Sequence, residues 1–332
     1  MSSLKTFGQL AGIEEEVVDE LGNTTRVAIP QKAKTNLLII DGNNLGYRYL
    51  KRKNFNAFQD DYIRTIESLA NSYHCKDVLV AYDFGKSQFR KSIFPEYKAN
   101  RTIAEEDKEH YEQFFAELNK TSEELPFPKV RLFGVEADDL IAYFILELYE
   151  HFKEVWVVSS DRDLYQLLKG NVHIFNLFSR KEITQQSLFD EKGIKTHEHL
   201  LAKIIQGDAG DNIKGIEGIG EVRGQALAKT YQGSLERLIQ ALPLKGKSKY
   251  IQNLNAGIDI LKRNEKLVNL SGYNKEIISF GGNEKYLEEL ETLIAPMKQY
   301  PKVEVPTLQI PPSYPVTHAL KEVGNKVTLD EK

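Results

Sequence analysis

The feature that most constrains the fold is a series of short apolar segments, each of which ends in acidic residues. Four of them are LLIID, VLVAYD, VRLFGVEADD and VWVVSSDRD, the first two ending at Asp41 and Asp83. They are rich in β-branched residues, do not alternate with polar residues and are separated by helical patterns, which is typical of buried strands in a parallel sheet. The sequence therefore predicts an α/β fold with a mainly parallel sheet flanked by helices.

Acids that follow parallel strands are expected to meet, because the carboxyl ends of such strands border one crevice. An Asp after a single strand is commonly a cap or turn residue, but repetition at several strand and loop ends favours a shared site. Carboxylates so close together repel unless they are protonated or bind a cation. We interpret them as a divalent-metal site whose candidate ligands are Asp41, Asp83, Glu136, Asp138, Asp139, Asp161, Asp163, Asp208 and Asp211.

Asp139 has two interpretations that the sequence leaves open. It lies with Glu136 and Asp138 at the start of a predicted helix from Ala137 to about Glu150. Acids at a helix N-terminus are favoured by the helix dipole alone, so Asp139 is equally well explained as a structural residue and as a metal ligand.

Composition limits the classes of protein that this chain can belong to. At 332 residues it is expected to form two closely joined domains or one large domain with additions. A hydrophobic fraction of 41% is ordinary for a soluble protein, and no apolar stretch approaches the ~20 residues of a membrane span. Cys75 is the single cysteine, which excludes an internal disulfide, argues against a zinc site and suits a reducing cytoplasm. We therefore expect a cytoplasmic protein without membrane attachment.

The net charge of −4 makes no general case for nucleic-acid binding, but the bases are clustered. Such clusters are often only solvated faces. The first one opens a long excursion from the sheet over residues 84–125, basic and aromatic at its start and then helical, which we interpret as an arch or lid that meets an anionic polymer. An ordinary surface helix is the alternative. The clusters are Lys86, Arg90, Lys91, Lys98 and Arg101, then Lys245, Lys247 and Lys249.

A glycine-rich turn lies between two helical stretches in the second half of the chain. Its sequence GIEGIG contains Gly215, Gly218 and Gly220, which allow backbone amides to face outward before a helix N-terminus. Alone this is a weak signal for phosphate binding. It is stronger here because the acidic segment GDAGDN comes directly before it.

Seven segments, in this order, resemble the 5′-nuclease superfamily, and most closely the flap endonucleases of T-odd coliphages. They span about residues 37–265 and read LLIIDGNNLGYRY, YDFGKSQFR, FPEYKANR, GVEADDLIAYF, SSDRDLYQLL, GDAGDNIKGIEGIG and LPLKGKSKYIQNLNA. The resemblance implies a PIN-like nuclease domain, a helical arch over the active site and a helix-three-turn-helix region that grips duplex DNA. We expect an N-terminal extension over 1–34, the nuclease domain over 35–195, the helical DNA-binding region over 196–297 and a proline-rich tail over 298–332.

The resemblance also implies roles for single residues. The acids would hold two Mg²⁺ or Mn²⁺ ions. Asp208 and Asp211 are assigned to the second ion, and the residues assigned mainly to the first are Asp41, Asp83, Glu136, Asp138, Asp161 and Asp163. Asp41, Asp138 and Asp161 would then be catalytic together with Lys98 and Arg101, a basic pair at the base of the arch. The residues expected to contact DNA are Tyr47, Arg48, Lys86, Arg90, Lys91, Tyr97, Gly215, Gly218, Gly220, Arg223, Lys245, Lys247 and Lys249.

The glycine-rich turn would bind K⁺ together with a duplex phosphate, as its counterpart does in the family. The sequence departs from the family's pattern at this turn. Val222 stands where many relatives have Lys, so Arg223 is the nearby base.

The expected function is that of a structure-specific 5′ nuclease, monomeric and active on DNA flaps and junctions in phage replication inside a bacterial host. Two alternatives remain at this point. A PIN-type ribonuclease would use a similar acid cluster, although such domains are usually shorter and lack the duplex-gripping turn. In a non-catalytic junction-binding protein, the acids would bind ions only to stabilise the structure.

Overall fold

The structure is a computed structural model that describes residues 14–18, 24–28, 34–52 and 54–307. Residues 1–34 and 35–332 form two separate units. In the described part of the first unit, Glu14–Val18 (β1) and Thr24–Ala28 (β2) pair as an antiparallel hairpin with Glu14 opposite Ala28. The sequence did not predict this hairpin. The predicted disorder or extension of the tail from residue 308 onward lies outside the described residues.

Six strands form the main sheet within the described residues of the second unit, in the order β5-β4-β3-β6-β7-β8. The first five are parallel, and β8 runs antiparallel to β7 at the edge. This confirms the prediction of a mainly parallel sheet. The strands are Asn36–Asp41 (β3), Cys75–Tyr82 (β4), Lys129–Arg131 (β5), Val155–Val158 (β6), Val172–Asn176 (β7) and Lys181–Ile183 (β8).

Both faces of the sheet are covered, which explains why β3 is buried along its whole length. Leu38 and Ile40 pack with helices on one face, while Leu37 and Ile39 pack with helices on the other. Helices on the first face are Gly42–Tyr47 (α1), Phe58–Ser72 (α2) and Lys108–Glu124 (α4). The short helix Gln88–Ile93 (α3) lies between α2 and α4 in the chain and contributes no residue to this core. Those on the second are Ala137–Leu148 (α5) and three later helices described below.

One predicted strand is shorter in the structure. The strand expected in VRLFGVEADD covers only Lys129–Arg131, and the chain then turns at Gly134, which adopts a φ of +76°. After β6 the chain forms a 3₁₀ helix over Arg162–Leu167.

A second, helical core follows the sheet. Leu201, Ile205, Leu227 and Leu254 pack together within it. Between its first long helices lie two very short strands, Gly207–Asp208 (β9) and Ile213–Lys214 (β10), and then the glycine-rich turn. Its helices are Thr196–Gln206 (α7), Glu221–Thr230 (α8), Leu235–Gln240 (α9), Lys249–Ala256 (α10) and Ile258–Val268 (α11). Three further helices pack on the sheet, namely Gln185–Lys192 (α6), Asn274–Ser279 (α12) and Glu284–Ile294 (α13).

The segment predicted as an arch connects the two cores. At its base the Lys98 amide donates to the Asp211 carbonyl at 3.0 Å, next to β10. Residues 99–107 are all exposed. The following helix α4 buries Phe114 and Leu118 against the sheet-side core that contains α1 and α2. The segment therefore runs from the loop around Asp211 to the helices that follow β3.

The start of the predicted tail packs on the main unit. The His151 ring lies 2.7 Å from the Tyr300 carbonyl, and the Val303 amide donates to the Glu150 carbonyl at 2.7 Å. Residues 301–307 form neither helix nor strand. Within the described ranges, no helix is both long and apolar enough to cross a membrane.

Candidate active site

The acids at three neighbouring strand ends define the first part of the site. Asp41 is the last residue of the central strand β3, Asp83 follows β4, and Asp161 caps the 3₁₀ helix after β6. The Asp41 carboxylate is 6% exposed and accepts hydrogen bonds from the Asn44 amide at 3.0 Å and the Ser159 hydroxyl at 2.8 Å. Strand order therefore brings these acids together, and local hydrogen bonds orient them.

The pKa values of these acids report how strongly the carboxylates crowd each other. Burial, followed by the charge of Asp83, raises the pKa of Asp41 to about 7. Burial, then Asp161 and Asp41, raises the pKa of Asp138 well above its usual value. Burial also raises the pKa of Asp83, whose carboxylate accepts from the Ala137 amide at 2.7 Å. A bound divalent cation would relieve this repulsion.

A second group of acids is formed by Asp163, Asp208 and Asp211. One carboxylate oxygen from each lies within 4.8 Å of the others, a spacing that suits shared metal ligation. The sequence placed Asp163 with the first-ion acids, whereas in the structure its carboxylate lies with those of Asp208 and Asp211. The Lys203 ammonium contacts both Asp163 and Asp208, the latter at 2.7 Å.

Lys203, Ser159 and Asn44 were not among the residues predicted from the sequence. Lys203 lies in the last turn of α7, five positions before Asp208, and a base this close to the GDAGD segment is the signal that was available. Ser159 and Asn44 lie in the SSD and DGNN segments, directly beside the predicted acids. Short polar residues next to a ligand are frequently those that orient it.

The predicted basic pair lies against these acids. The Lys98 ammonium donates to Glu136 at 2.8 Å, and the Arg101 guanidinium donates to Asp211. Burial opposes ionisation of Glu136, but the charges of Lys98 and Arg90 outweigh it, so the pKa of Glu136 is lowered. Glu136 therefore positions Lys98 at the site, with both of its oxygens engaged by hydrogen-bond donors.

Three sequence predictions need correction. The Arg90 guanidinium binds both oxygens of Asp139, at 2.7 and 2.8 Å, and the two side chains are 3% and 0% exposed. Asp139 is thus completely buried in a bidentate ion pair, and Arg90 is buried with it and inaccessible to DNA. Tyr97 is 2% exposed, and its hydroxyl lies 2.8 Å from Glu136 and 3.1 Å from Asp211, so it braces those acids and is not available to DNA.

The other side chains predicted to contact DNA near the strand ends are accessible. The Tyr47 ring is 38% exposed and stacks on Phe114 with ring centroids 5.6 Å apart. Arg48 and Lys91 are exposed. Lys86 is also exposed, although its ammonium donates to the Lys98 carbonyl at 2.8 Å.

The glycine-rich turn opens onto solvent in front of α8. Gly218 has a φ of +84°, and a Cβ on Gly220 would meet open space. Arg223 donates to the Gly218 carbonyl at 2.7 Å, and its guanidinium lies 4.6 Å from the centroid of the Tyr250 ring. Val222 is 70% exposed. Three exposed bases follow later in the chain, with Lys245 and Lys247 in the loop before α10 and Lys249 at the first position of that helix.

The crowding of the acids predicts how pH and metal affect stability. The pKa of Asp41 is about 7 in the folded protein and near 4 in an unfolded chain. As pH rises between these values, Asp41 ionises more readily in the unfolded state, so the free energy of unfolding of the metal-free protein falls. We expect added Mg²⁺ to raise the melting temperature more at about pH 8 than at about pH 5, as measured by scanning calorimetry. Asp41→Asn should reduce that difference. Equal metal-induced shifts at both pH values would contradict the prediction.

Comparison with known proteins places the chain in a family. Residues 36–197 match the family model described as the 5′-3′ exonuclease, N-terminal resolvase-like domain. The chain is 39% identical to the flap endonuclease of Escherichia phage T5 over 260 residues, which cover 76% of this chain and 89% of the relative. It is 30% identical to a 5′-3′ exonuclease of Buchnera aphidicola, covering 65% of this chain and 79% of that protein.

Solved structures of the phage T5 protein share the fold. One, co-crystallised with metal ions, has a TM-score of 0.73 and 39% identity and covers 79% of this chain and 99% of its own. Another is a pseudo-enzyme-product complex with DNA and metal ions, with a TM-score of 0.75 and 38% identity, covering 80% of this chain and 100% of its own. By sequence and by fold, this chain belongs to the 5′-3′ exonuclease family that includes the phage T5 flap endonuclease.

Proposed function

We propose that this protein is a structure-specific 5′ nuclease, acting as a flap endonuclease and 5′-3′ exonuclease on DNA where a single strand meets a duplex. The observation that carries the proposal is the convergence of two acid groups, Asp41 with its neighbours and Asp163 with Asp208 and Asp211, beside the bases Lys98 and Arg101. The type of reaction is inferred from the 39% identity of the chain to a flap endonuclease.

We propose that the site holds two Mg²⁺ or Mn²⁺ ions. The donor set fits them, because it consists of carboxylate oxygens, which are hard ligands. Asp41, Asp83, Asp138 and Asp161 would hold one ion, and the second would be held by Asp163, Asp208 and Asp211. When bound, such ions lower the pKa of a water and polarise the scissile phosphate.

The protein's own cations and hydrogen bonds prepare the rest of the reaction. Lys98 and Arg101, held by Glu136 and Asp211, place positive charge where a phosphate approaches the acids. The Lys203 ammonium keeps Asp163 and Asp208 together despite their like charges. No side-chain nucleophile is required for this chemistry.

We propose that the glycine-rich turn grips the intact duplex by its phosphates, with K⁺ as a bound ion. The carbonyl oxygens of Glu217 and Gly218 each accept one hydrogen bond, from Asn253 and Arg223, so each keeps a second lone pair for a cation. Such contacts read no base sequence. We also propose that the protein acts as a monomer, in the replication of phage DNA.

The turn yields a paired prediction. Gly218→Val should weaken binding to flap DNA more than to a free single strand, because valine disfavours the φ of +84°. Val222→Lys should strengthen duplex binding, since it adds one exposed cation. The slope of log binding constant against log salt concentration should become steeper by about one unit. Titrations at several salt concentrations measure both effects. Equal losses on both substrates for Gly218→Val would mean that the turn has only a structural role.

We propose that the predicted arch, residues 84–125, crosses over the crevice with its part over 98–124, so that a flap enters by its free 5′ end. The segment is anchored at one end through Lys98 to the Asp211 loop, and at the other through Phe114 to the core with α1. A bulky protein attached to the 5′ end before the enzyme is added should then abolish most cleavage. The same cap attached after binding is the control. Undiminished cleavage of the pre-capped flap would favour an open groove.

A divalent-dependent cleavage assay tests the function itself. Labelled DNA with a 5′ flap, a nicked duplex, a single strand and the matching RNA flap would be incubated with Mg²⁺ or with EDTA. We expect cleavage near the DNA junction only with metal. Preference for the RNA flap would support a PIN-type ribonuclease, whereas junction binding without cleavage of any substrate would support a non-catalytic role.

A further inference from the structure

Two exposed aromatic rings follow strands β4 and β5, close in sequence to residues of the acid cluster. Phe84 follows Asp83, so their Cα atoms are about 3.8 Å apart, and Phe133 lies three residues before Glu136. The two side chains are 41% and 54% exposed, and their ring centroids are 5.4 Å apart in an edge-to-face arrangement. They come from the carboxyl ends of the paired strands β4 and β5, the same edge that carries the acids.

The rings are held in place by the backbone. The Gly134 amide donates to the Phe84 carbonyl at 2.7 Å, the Phe84 amide donates to the Val135 carbonyl at 3.4 Å, and the Gln88 amide donates to the Gly134 carbonyl at 3.0 Å. Gly134 adopts a φ of +76°, and a Cβ there would meet Gln88 at 2.7 Å, so the turn requires glycine. Two large apolar side chains are thus fixed in solvent by a close-packed turn.

The surroundings of the rings are basic. The Arg131 guanidinium lies 4.4 Å from the centroid of the Phe84 ring, and Lys86 is exposed two residues after Phe84. Aromatic faces combined with Arg and Lys side chains are the combination that holds an unpaired nucleotide, the ring stacking on the base and the cations meeting phosphate.

A protein partner fits this surface less well. Two whole aromatic side chains amount to about 300–500 Å², and these two are only partly exposed. A stable protein interface needs about 800 Å² from each partner. A single base is of the right size.

We propose that Phe84 and Phe133 form a stacking subsite for an unpaired base of the DNA substrate next to the scissile phosphate. The inference rests on the proposed nuclease function and adds to it a contact that positions the junction. Phe133, the more exposed ring, carries the stack, and Phe84 supports it from the side with Arg131.

Fluorescence of 2-aminopurine locates the contact. The base analogue would be placed in turn at each position around a flap junction, with the enzyme bound in EDTA so that cleavage does not intervene. Stacking quenches this fluorophore, so wild type should quench it at one or two adjacent positions. The Phe84→Ala/Phe133→Ala double variant should lose that quenching and bind the junction roughly 5- to 100-fold more weakly, with plain duplex binding little changed.

Matched variants separate stacking from other effects. Phe178→Ala removes a ring as exposed as Phe133 that follows β7, which is separated from β4 by β3 and β6 in the sheet, and this variant should bind like wild type. Phe133→Trp should retain quenching, whereas Phe133→Leu, which keeps an apolar side chain in the same turn, should lose it even if the double variant folds poorly. Melting temperatures verify folding.

The outcomes also distinguish this inference from the function on which it rests. If wild type neither binds nor cleaves flaps, the proposed function fails. If wild type cleaves flaps and the Phe133→Leu variant binds and quenches like wild type, only the stacking subsite is refuted. Self-association of wild type that Phe133→Leu abolishes, without an effect on DNA binding, would assign the rings to a contact between copies of this chain and overturn the proposal.

Discussion

Asp161→Asn is expected to lower single-turnover cleavage of flap DNA by about 1000-fold or more, because loss of a charged ligand removes several kcal/mol of transition-state stabilisation. The fold should survive. The Asp161 side chain caps a 3₁₀ helix by accepting from the Asp163 amide at 2.8 Å, and the Asn carbonyl can accept the same hydrogen bond. In EDTA, binding to the flap should be unchanged or tighter, since one negative charge near the phosphates is gone.

The matched control is Asp259→Asn. Asp259 is an exposed acid in the first turn of α11, so this variant changes the net charge equally without touching the site. Quenched-flow cleavage and fluorescence anisotropy in EDTA measure the two properties for both variants. Near-wild-type turnover by Asp161→Asn would remove this residue from the catalytic set.

The location of the site was predictable because it depends on where the parallel strands end, and each strand end is visible in the local sequence. Apolar segments without alternation identify buried parallel strands, and the acids that end them must then border one crevice. Asp41, Asp83 and Asp161 are of this kind. Their sequence neighbours Ser159 and Asn44 were overlooked, although they orient Asp41 from positions within the same segments.

The roles of Asp138 and Asp139 were not separable from the sequence. Neighbours on a helix point about 100° apart, so only one of them can face the other acids while the other faces the core. Which one does so is decided by Arg90, which lies 49 residues before Asp139 and comes from the short helix α3. A pairing at this separation leaves no periodicity to detect.

The grouping of Asp163 depends on packing that the sequence does not show. Asp163 follows Asp161 by two residues, and the sequence suggested one shared ion. The 3₁₀ helix that contains Asp163 places it against Lys203 of α7, and Lys203 and Asp208 of β9 lie 40 and 45 positions later in the chain. Packing of α7 against this helix, which the sequence does not encode locally, therefore decides the grouping of the acids.

Replacing Arg90 by Met should destabilise the protein by about 3–5 kcal/mol, because Asp139 would remain buried without a counter-ion. At roughly 2–4 °C for each kcal/mol, the melting temperature should fall by roughly 10 °C. Urea unfolding followed by circular dichroism gives the free energy. The double variant Arg90→Met/Asp139→Leu should recover much of the loss, since an apolar pair of similar size replaces the ion pair and removes the charge of Asp139, while Glu136 keeps its hydrogen bonds from Lys98 and Tyr97.

The same series decides between the two roles that the sequence allowed for Asp139. If Asp139 is a structural partner, the Asp139→Asn variant should be less stable than wild type. Its metal-induced rise in melting temperature should equal that of wild type, because both carboxylate oxygens face Arg90. If Asp139 is a metal ligand, the Asp139→Asn variant should lose little stability in EDTA, and Mg²⁺ should raise its melting temperature less than that of wild type. Calorimetry of Asp139→Asn and Asp138→Asn side by side makes the comparison. We expect only Asp138→Asn to weaken the metal response, since Asp138 is the member of the pair that interacts with Asp41 and Asp161.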